Sequence, residues 1–108
     1  MDNEQTAILE YLRANALGYN NRKSSTQIRE DLKLASGGVT NEHIRDLIRE
    51  LILKHNTCIG SLMWKDGYWI IQTEEELENV CRSLENRANS IRNRATALRN
   101  SWRKQQNG

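Results

Sequence analysis

Proline is absent from all 108 residues, so no helix read from the chain is cut or kinked by one. Cysteine is scarce. Cys58 and Cys81 make no disulfide framework and suit a reducing, cytoplasmic setting. No apolar run is long enough to span a bilayer and no signal-peptide core is visible, so no membrane partner is expected. Catalytic patterns are missing too: there is no P-loop and no G-x-S-x-G elbow. His43, His55, Cys58 and Cys81 are the only soft metal ligands. His55-Asn56-Thr57-Cys58 spaces two of them workably, but no second pair completes a zinc site. The carboxylates have helix-surface explanations, so paired acid–base work has no support. The expectation is a non-enzymatic chain without a cofactor.

The charges nearly balance, with 16 Lys and Arg against 14 Asp and Glu for a net +2. Their order is uneven. Residues 1–73 carry nine of each sign, whereas residues 74–108 carry five acids and seven bases, the acids mostly first. Acids at a helix start and bases at its end complement the helix dipole. The same basic end would also suit phosphates.

The strongest pattern is a heptad seam over the last third of the chain. Leu77, Cys81, Leu84, Ala88, Ile91, Ala95, Leu98 and Trp102 follow one another in alternating steps of four and three. One helix cannot bury such a stripe alone, so it needs a twin or a groove on its own head. Thr73-Glu74-Glu75-Glu76 is a capping box that opens this helix. The division expected is a head over residues 1–73, a dimerisation helix over 74–104 and a frayed, disordered tail over 105–108. A head of that size lies near the lower limit for a self-sufficient core.

Within the head, Ile8, Leu9, Leu12 and Ala16 give a first helix from Asn3 to about Leu17, capped by Asp2 or Asn3 and ended by Gly18. Asn20 to Lys23 read as a loop with room for a short strand. Ser24-Ser25-Thr26-Gln27 is a capping box for a short second helix carrying Ile28 and Leu32. A turn through Gly37-Gly38 leads to Thr40, the expected cap of a third helix from Asn41 to about His55. The apolar face of that helix is Ile44, Leu47, Ile48, Leu51 and Ile52. Two β-prone runs follow, Cys58 to Met63 and Tyr68 to Ile71, with Asp66-Gly67 as the hairpin-turn signal between them. Cys58 is expected to pack at the strand start.

Three segments carry a resemblance: Ser25-Thr26-Gln27-Ile28-Arg29-Glu30-Asp31-Leu32, Ile44-Arg45-Asp46-Leu47-Ile48-Arg49-Glu50-Leu51, and Gly67-Tyr68-Trp69-Ile70. In this order they resemble the positioning helix, recognition helix and wing strand of a winged helix-turn-helix domain. The whole chain resembles small winged-helix proteins with a C-terminal coiled coil, as found in phage and prophage gene sets. The fold class implied is mainly α (α+β): three helices, a β-hairpin wing and a long C-terminal coiled-coil helix.

In that family the third helix enters the major groove and the wing touches the backbone or minor groove. Asn41, Glu42, Arg45, Asp46, Arg49 and Leu53 would then face outward, with Trp64, Lys65 and Asp66 at the wing tip. Arg22, Lys23, Ser24, Ser25 and Arg29 would flank the duplex as phosphate contacts. Trp64 has two fates open to it, packing on the wing or an exposed face for stacking. Glu42 and Asp46 depart from the pattern, since two carboxylates at the front of a recognition helix oppose phosphate. They fit equally a solvent face held by Glu42–Arg45 and Asp46–Arg49 pairs.

Charges beside the seam bear on how two copies would pair. Parallel helices set Arg87 near the partner's Arg92 and Arg94 near the partner's Arg99, which repel. Antiparallel helices set Glu78 near the partner's Arg99 and Glu85 near the partner's Arg92, which attract. They keep one repulsive set, Arg87 with the partner's Arg94. Each exposed pair contributes about 0.2–1 kcal/mol, so antiparallel is modestly preferred. Such a rod would be roughly 40 Å long at 1.5 Å per residue. An alternative has the helix folding back on the head, where Leu77 and Val80 would cover one face of the hairpin. The seam points to a homodimer, and the winged-helix resemblance implies a protein binding double-stranded DNA, in phage or prophage transcription or replication. Protein adaptor and oligomeric packaging protein are the alternatives.

Overall fold

The computed structural model describes residues 1–62 and 65–107, with side chains for all of these but Lys65 and Asp66. Helix α1 (Asn3–Asn15) opens on a reciprocal box: Asp2 Oδ1 accepts from the Gln5 N–H at 2.7 Å, and Gln5 Oε1 accepts from the Asp2 N–H at 3.1 Å. Helix α2 (Ser25–Leu32) starts where Ser24 Oγ accepts from the Gln27 N–H at 3.0 Å. It stops at Lys33, which turns left-handed with φ 56°. Helix α3 (Glu42–His55) follows the Gly37-Gly38 turn. Its cap is Asn41, not Thr40. Asn41 takes a left-handed backbone, φ 58°, and its side chain accepts no hydrogen bond from the helix.

The three helices pack on one another through the apolar faces read from the sequence. Ile8, Leu12, Ile28, Ile44 and Leu51 are fully buried. Ile52 departs from expectation. It is 39% exposed, at the edge of the stripe, while Leu53 faces water as expected.

Strand β1 (Ile59–Leu62) pairs antiparallel with β2 (Lys65–Ile70), and Leu62 sits opposite Lys65. Asp66-Gly67 therefore lies inside β2, and the expected turn there is not formed. The strand pairing, not the Asp-Gly signal, sets the register. Cys58 is exposed, one residue ahead of β1, and does not pack at its start. The edge of β2 also pairs with the segment after α1. The Lys23 and Tyr68 backbones exchange hydrogen bonds at 2.9 and 2.8 Å, and the Ile70 N–H donates to Ala16 O at 2.8 Å. Between these contacts Tyr19–Asn21 form a 3-10 turn.

The hairpin is covered on both faces. Tyr68 and Ile70 pack against the helical core. Trp69, 2% exposed, lies on the other face, with its indole over Gly60 and its ring edge-on to Tyr19 at 5.2 Å. Helix α4 (Glu74–Asn107) runs for 34 residues and packs against β1 near its start. It is continuous through Gln105, Gln106 and Asn107, so the expected disordered tail is helical as far as described. Among the described residues, no helix is long and apolar enough to cross a membrane.

Candidate functional site

The first turn of α2, the approach to α3, the hairpin and the middle of α4 enclose a groove of about 620 Å³. Its walls are mostly hydrogen-bonding groups: the hydroxyls of Ser24, Ser25, Thr26, Thr40 and Ser61, the Asn41 amide, and the guanidiniums of Arg45 and Arg87. Among the described residues no carboxylate lines it, and the nearest one, that of Glu42, accepts from the lining Thr40 hydroxyl at 3.1 Å.

Asn41 holds the groove open at its base. It is 8% exposed, and its Nδ2 donates to Ser25 Oγ at 3.2 Å and Thr26 Oγ1 at 3.0 Å. The left-handed backbone at Asn41 turns the side chain back to α2 in place of capping α3. A hydroxyl that accepts from an amide keeps its own proton to donate. Ser25 and Thr26 are thereby left as donors at the N-terminal end of α2, where the helix dipole is positive. Arg45 Nη1 lies 3.5 Å from Thr40 Oγ1, and the Thr40 hydroxyl donates to Glu42 Oε1 at 3.1 Å. The expected Glu42–Arg45 pair is replaced by this contact, which leaves Arg45 without an ion pair among the described residues. Arg87 enters from α4 half-buried, and its Nε is shielded from solvent with no hydrogen-bond partner.

The residues singled out from sequence separate into groups. Ser25, Asn41 and Arg45 come together at the groove. Asn41, expected to face outward, is instead the buried latch beneath it. Arg49 is drawn to Asp46 at 2.8 Å, the i,i+3 pair expected on that face. Arg22 lies over the Tyr19 ring at 4.3 Å and donates to Tyr19 O at 3.2 Å. Lys23 is bound to β2 through its backbone. Arg29 is 3.6 Å from Glu30, with its Nε buried and unpartnered. Trp64 and the side chain of Lys65 lie outside the described residues.

The large apolar residues of the α4 seam face away from the head, whereas Cys81 is half-buried. Leu84 is 51%, Ile91 56%, Leu98 66% and Trp102 63% exposed, and Leu77 is 37% exposed. Val80 is the buried residue of this helix. The folded-back alternative therefore holds only for the Val80 stripe, which lies beside the seam. Glu76, Val80, Ser83 and Arg87, in steps of four, three and four, form the less exposed face of the first turns.

Thr26, Thr40 and Ser61 line the groove although the sequence reads none of them as a ligand contact, since hydroxyls carry no periodic signal. Arg87 belongs by sequence to the basic end of the stalk, read as dipole complement or phosphate surface, and nothing in its spacing sets it against the head. His43 is paired with Glu4 at 3.1 Å, and among the described residues no cluster of metal-binding side chains forms. Comparison with family models, curated proteins and solved structures finds no match to the chain.

Proposed function

We propose that the chain is a non-enzymatic, dimeric DNA-binding protein whose head is a winged helix. The observation that carries this reading is the groove. Hydroxyls of α2, its cap and the hairpin converge there with Arg45 and Arg87, and among the described residues no carboxylate lines it. Such a surface is built for the oxygens of a phosphate chain, which accept hydrogen bonds and carry negative charge. The element order, and the pairing of Lys23 with Tyr68 on the outer edge of the hairpin, also support a winged helix. Arg45 then reaches the duplex from α3, while the phage regulatory or replication role remains part of the same proposal.

The occupant proposed for the α4 seam is a second copy in antiparallel order. Its large apolar residues are more than a third exposed along the single chain. The Glu78 and Glu85 positions complement Arg99 and Arg92 of the partner subunit. The one unfavourable set in that order pairs Arg87 with the partner's Arg94. Arg87 turns toward its own head, which supports the antiparallel choice.

Fluorescence anisotropy with a random duplex across a salt series tests the DNA reading. Affinity should fall steeply with salt, because bound phosphates release counterions. Absence of binding at low salt overturns it. The adaptor alternative is favoured by one feature, the exposure of Leu53 at 71%, one turn beyond a self-neutralised Asp46–Arg49 pair on α3.

A further inference from the structure

Arg87 belongs by sequence to the stalk but by position to the head. It sits thirteen residues beyond the start of α4, on the stripe that follows Val80 along β1. From there it lines the same groove as Arg45 and the first turn of α2. Its Nε is buried without a hydrogen-bond partner. A guanidinium is a fork of donors that does not lose its charge, and with Nε closed off from solvent the donors left to the groove are its terminal amino groups. A bound oxyanion would accept from these and place a negative charge beside two arginines. The neighbouring hydroxyls supply the remaining hydrogen bonds.

We infer that the groove is a phosphate-binding notch shared between head and stalk, with Arg45 and Arg87 as its two cationic sides. The ligand is a single phosphodiester of the duplex, and in this the inference rests on the DNA-binding reading. The chemistry of the notch itself is that of any tetrahedral phosphate. Arg87 makes the long helix a direct participant in binding, so seating a phosphate also clamps α4 onto β1.

The test uses the full chain in three forms: wild type, Arg87→Gln and Arg82→Gln. Arg82 is exposed on the same helix and off the seam, so its variant controls for the change in net charge. Anisotropy with a random duplex is measured across a salt series. Loss of Arg87 is expected to weaken binding roughly tenfold, as for a charge-assisted hydrogen bond, and to lower the salt slope by about one phosphate. The Arg82 variant should do neither to that extent. Equal affinity and slope for wild type and both variants overturn the notch while leaving the DNA reading intact. If the wild type does not bind duplex, inorganic phosphate decides. Saturable NMR shifts confined to Ser25, Thr26, Arg45 and Arg87, with those of Ser25, Thr26 and Arg45 lost in Arg87→Gln, support the notch. Their absence overturns it. Unchanged helical circular dichroism in both variants shows that the fold is not what moved.

Discussion

The Glu76 carboxylate accepts a hydrogen bond from the Tyr19 backbone N–H at 3.0 Å, tying α4 to a turn 57 residues earlier. Its other oxygen accepts from the Gln72 N–H at 2.9 Å. Thr73 Oγ1 accepts from the Glu76 N–H at 3.1 Å, so half of the expected capping box is present. The other half is diverted from the cap to the head. The two backbone donors, Gln72 first and Tyr19 second, hold the Glu76 pKa below its ordinary 4.5.

A pH dependence follows. An unfolded chain takes up this proton before the folded one does, so the stabilisation is full above about 4.5 and is lost as pH falls through the lower folded value. Glu76→Ala should cost about 1 kcal/mol at neutral pH, and its stability should vary less with pH across the acid limb. Chemical denaturation at pH 7 and at successively lower pH measures both. Parallel curves for wild type and variant would show that Glu76 does not carry this effect.

Replacing both Leu84 and Ile91 with Asp should give monomers with an intact head. Both side chains are more than half exposed on the single chain, so the core does not need them. Light scattering reads the mass, and near-ultraviolet circular dichroism reads the packing of Trp69. A mass unchanged from wild type would remove the seam as the self-association surface.

Asn41 can be dissected with two substitutions. Asn41→Gly keeps the left-handed backbone and loses the amide latch to Ser25 and Thr26. Asn41→Ala loses the latch and also strains the backbone, a further cost of about 1–2 kcal/mol. Alanine is therefore expected to be the more destabilising in thermal unfolding. The opposite order would mean that chain stiffness outweighs the backbone strain.

On α3, Arg45→Ala with Arg49→Ala should weaken duplex binding without loss of helical circular dichroism. Asp46→Asn should act in the other direction, strengthening binding several-fold by releasing Arg49 and removing a carboxylate from the phosphate side. Anisotropy at one low salt concentration is sufficient. Weaker binding by Asp46→Asn would place that carboxylate in base contact rather than in opposition to phosphate.

Gly60→Ala should destabilise the hairpin by about 1–3 kcal/mol, the range for overpacking. A methyl there would meet the Trp69 indole at 2.7 Å, and the indole has no open side to move to because Tyr19 is edge-on to it. Equilibrium unfolding followed by tryptophan fluorescence reports it. A neutral result would mean that the indole can shift within its pocket.

The periodic parts of this chain were readable. Apolar spacing placed all four helices, and Ser24 and Asp2 cap where their residue types and positions suggest. What escaped depends on long-range partners. Asp66-Gly67 has the composition of a turn, yet Gly67 is needed in β2 because Arg22 Cγ would lie 2.7 Å from a Cβ there. Asn41 was expected as an outward residue because α3 was counted from it, but its left-handed φ takes it off the helical face. Glu76 and Arg87 look like ordinary stalk charges until β1 and the Tyr19 turn come alongside. The candidate groove was therefore half legible: its α2 and α3 walls follow from local signals, and its α4 wall does not.

From Thr73 to Asn107 there is neither glycine nor proline, and the first turns of α4 are fixed to the head by Glu76 and Val80. In the paired form proposed above, the two heads would sit at the ends of a caliper without a joint. Its opening would be set by residue count, and adding one heptad would widen it by about 10 Å at 1.5 Å per residue.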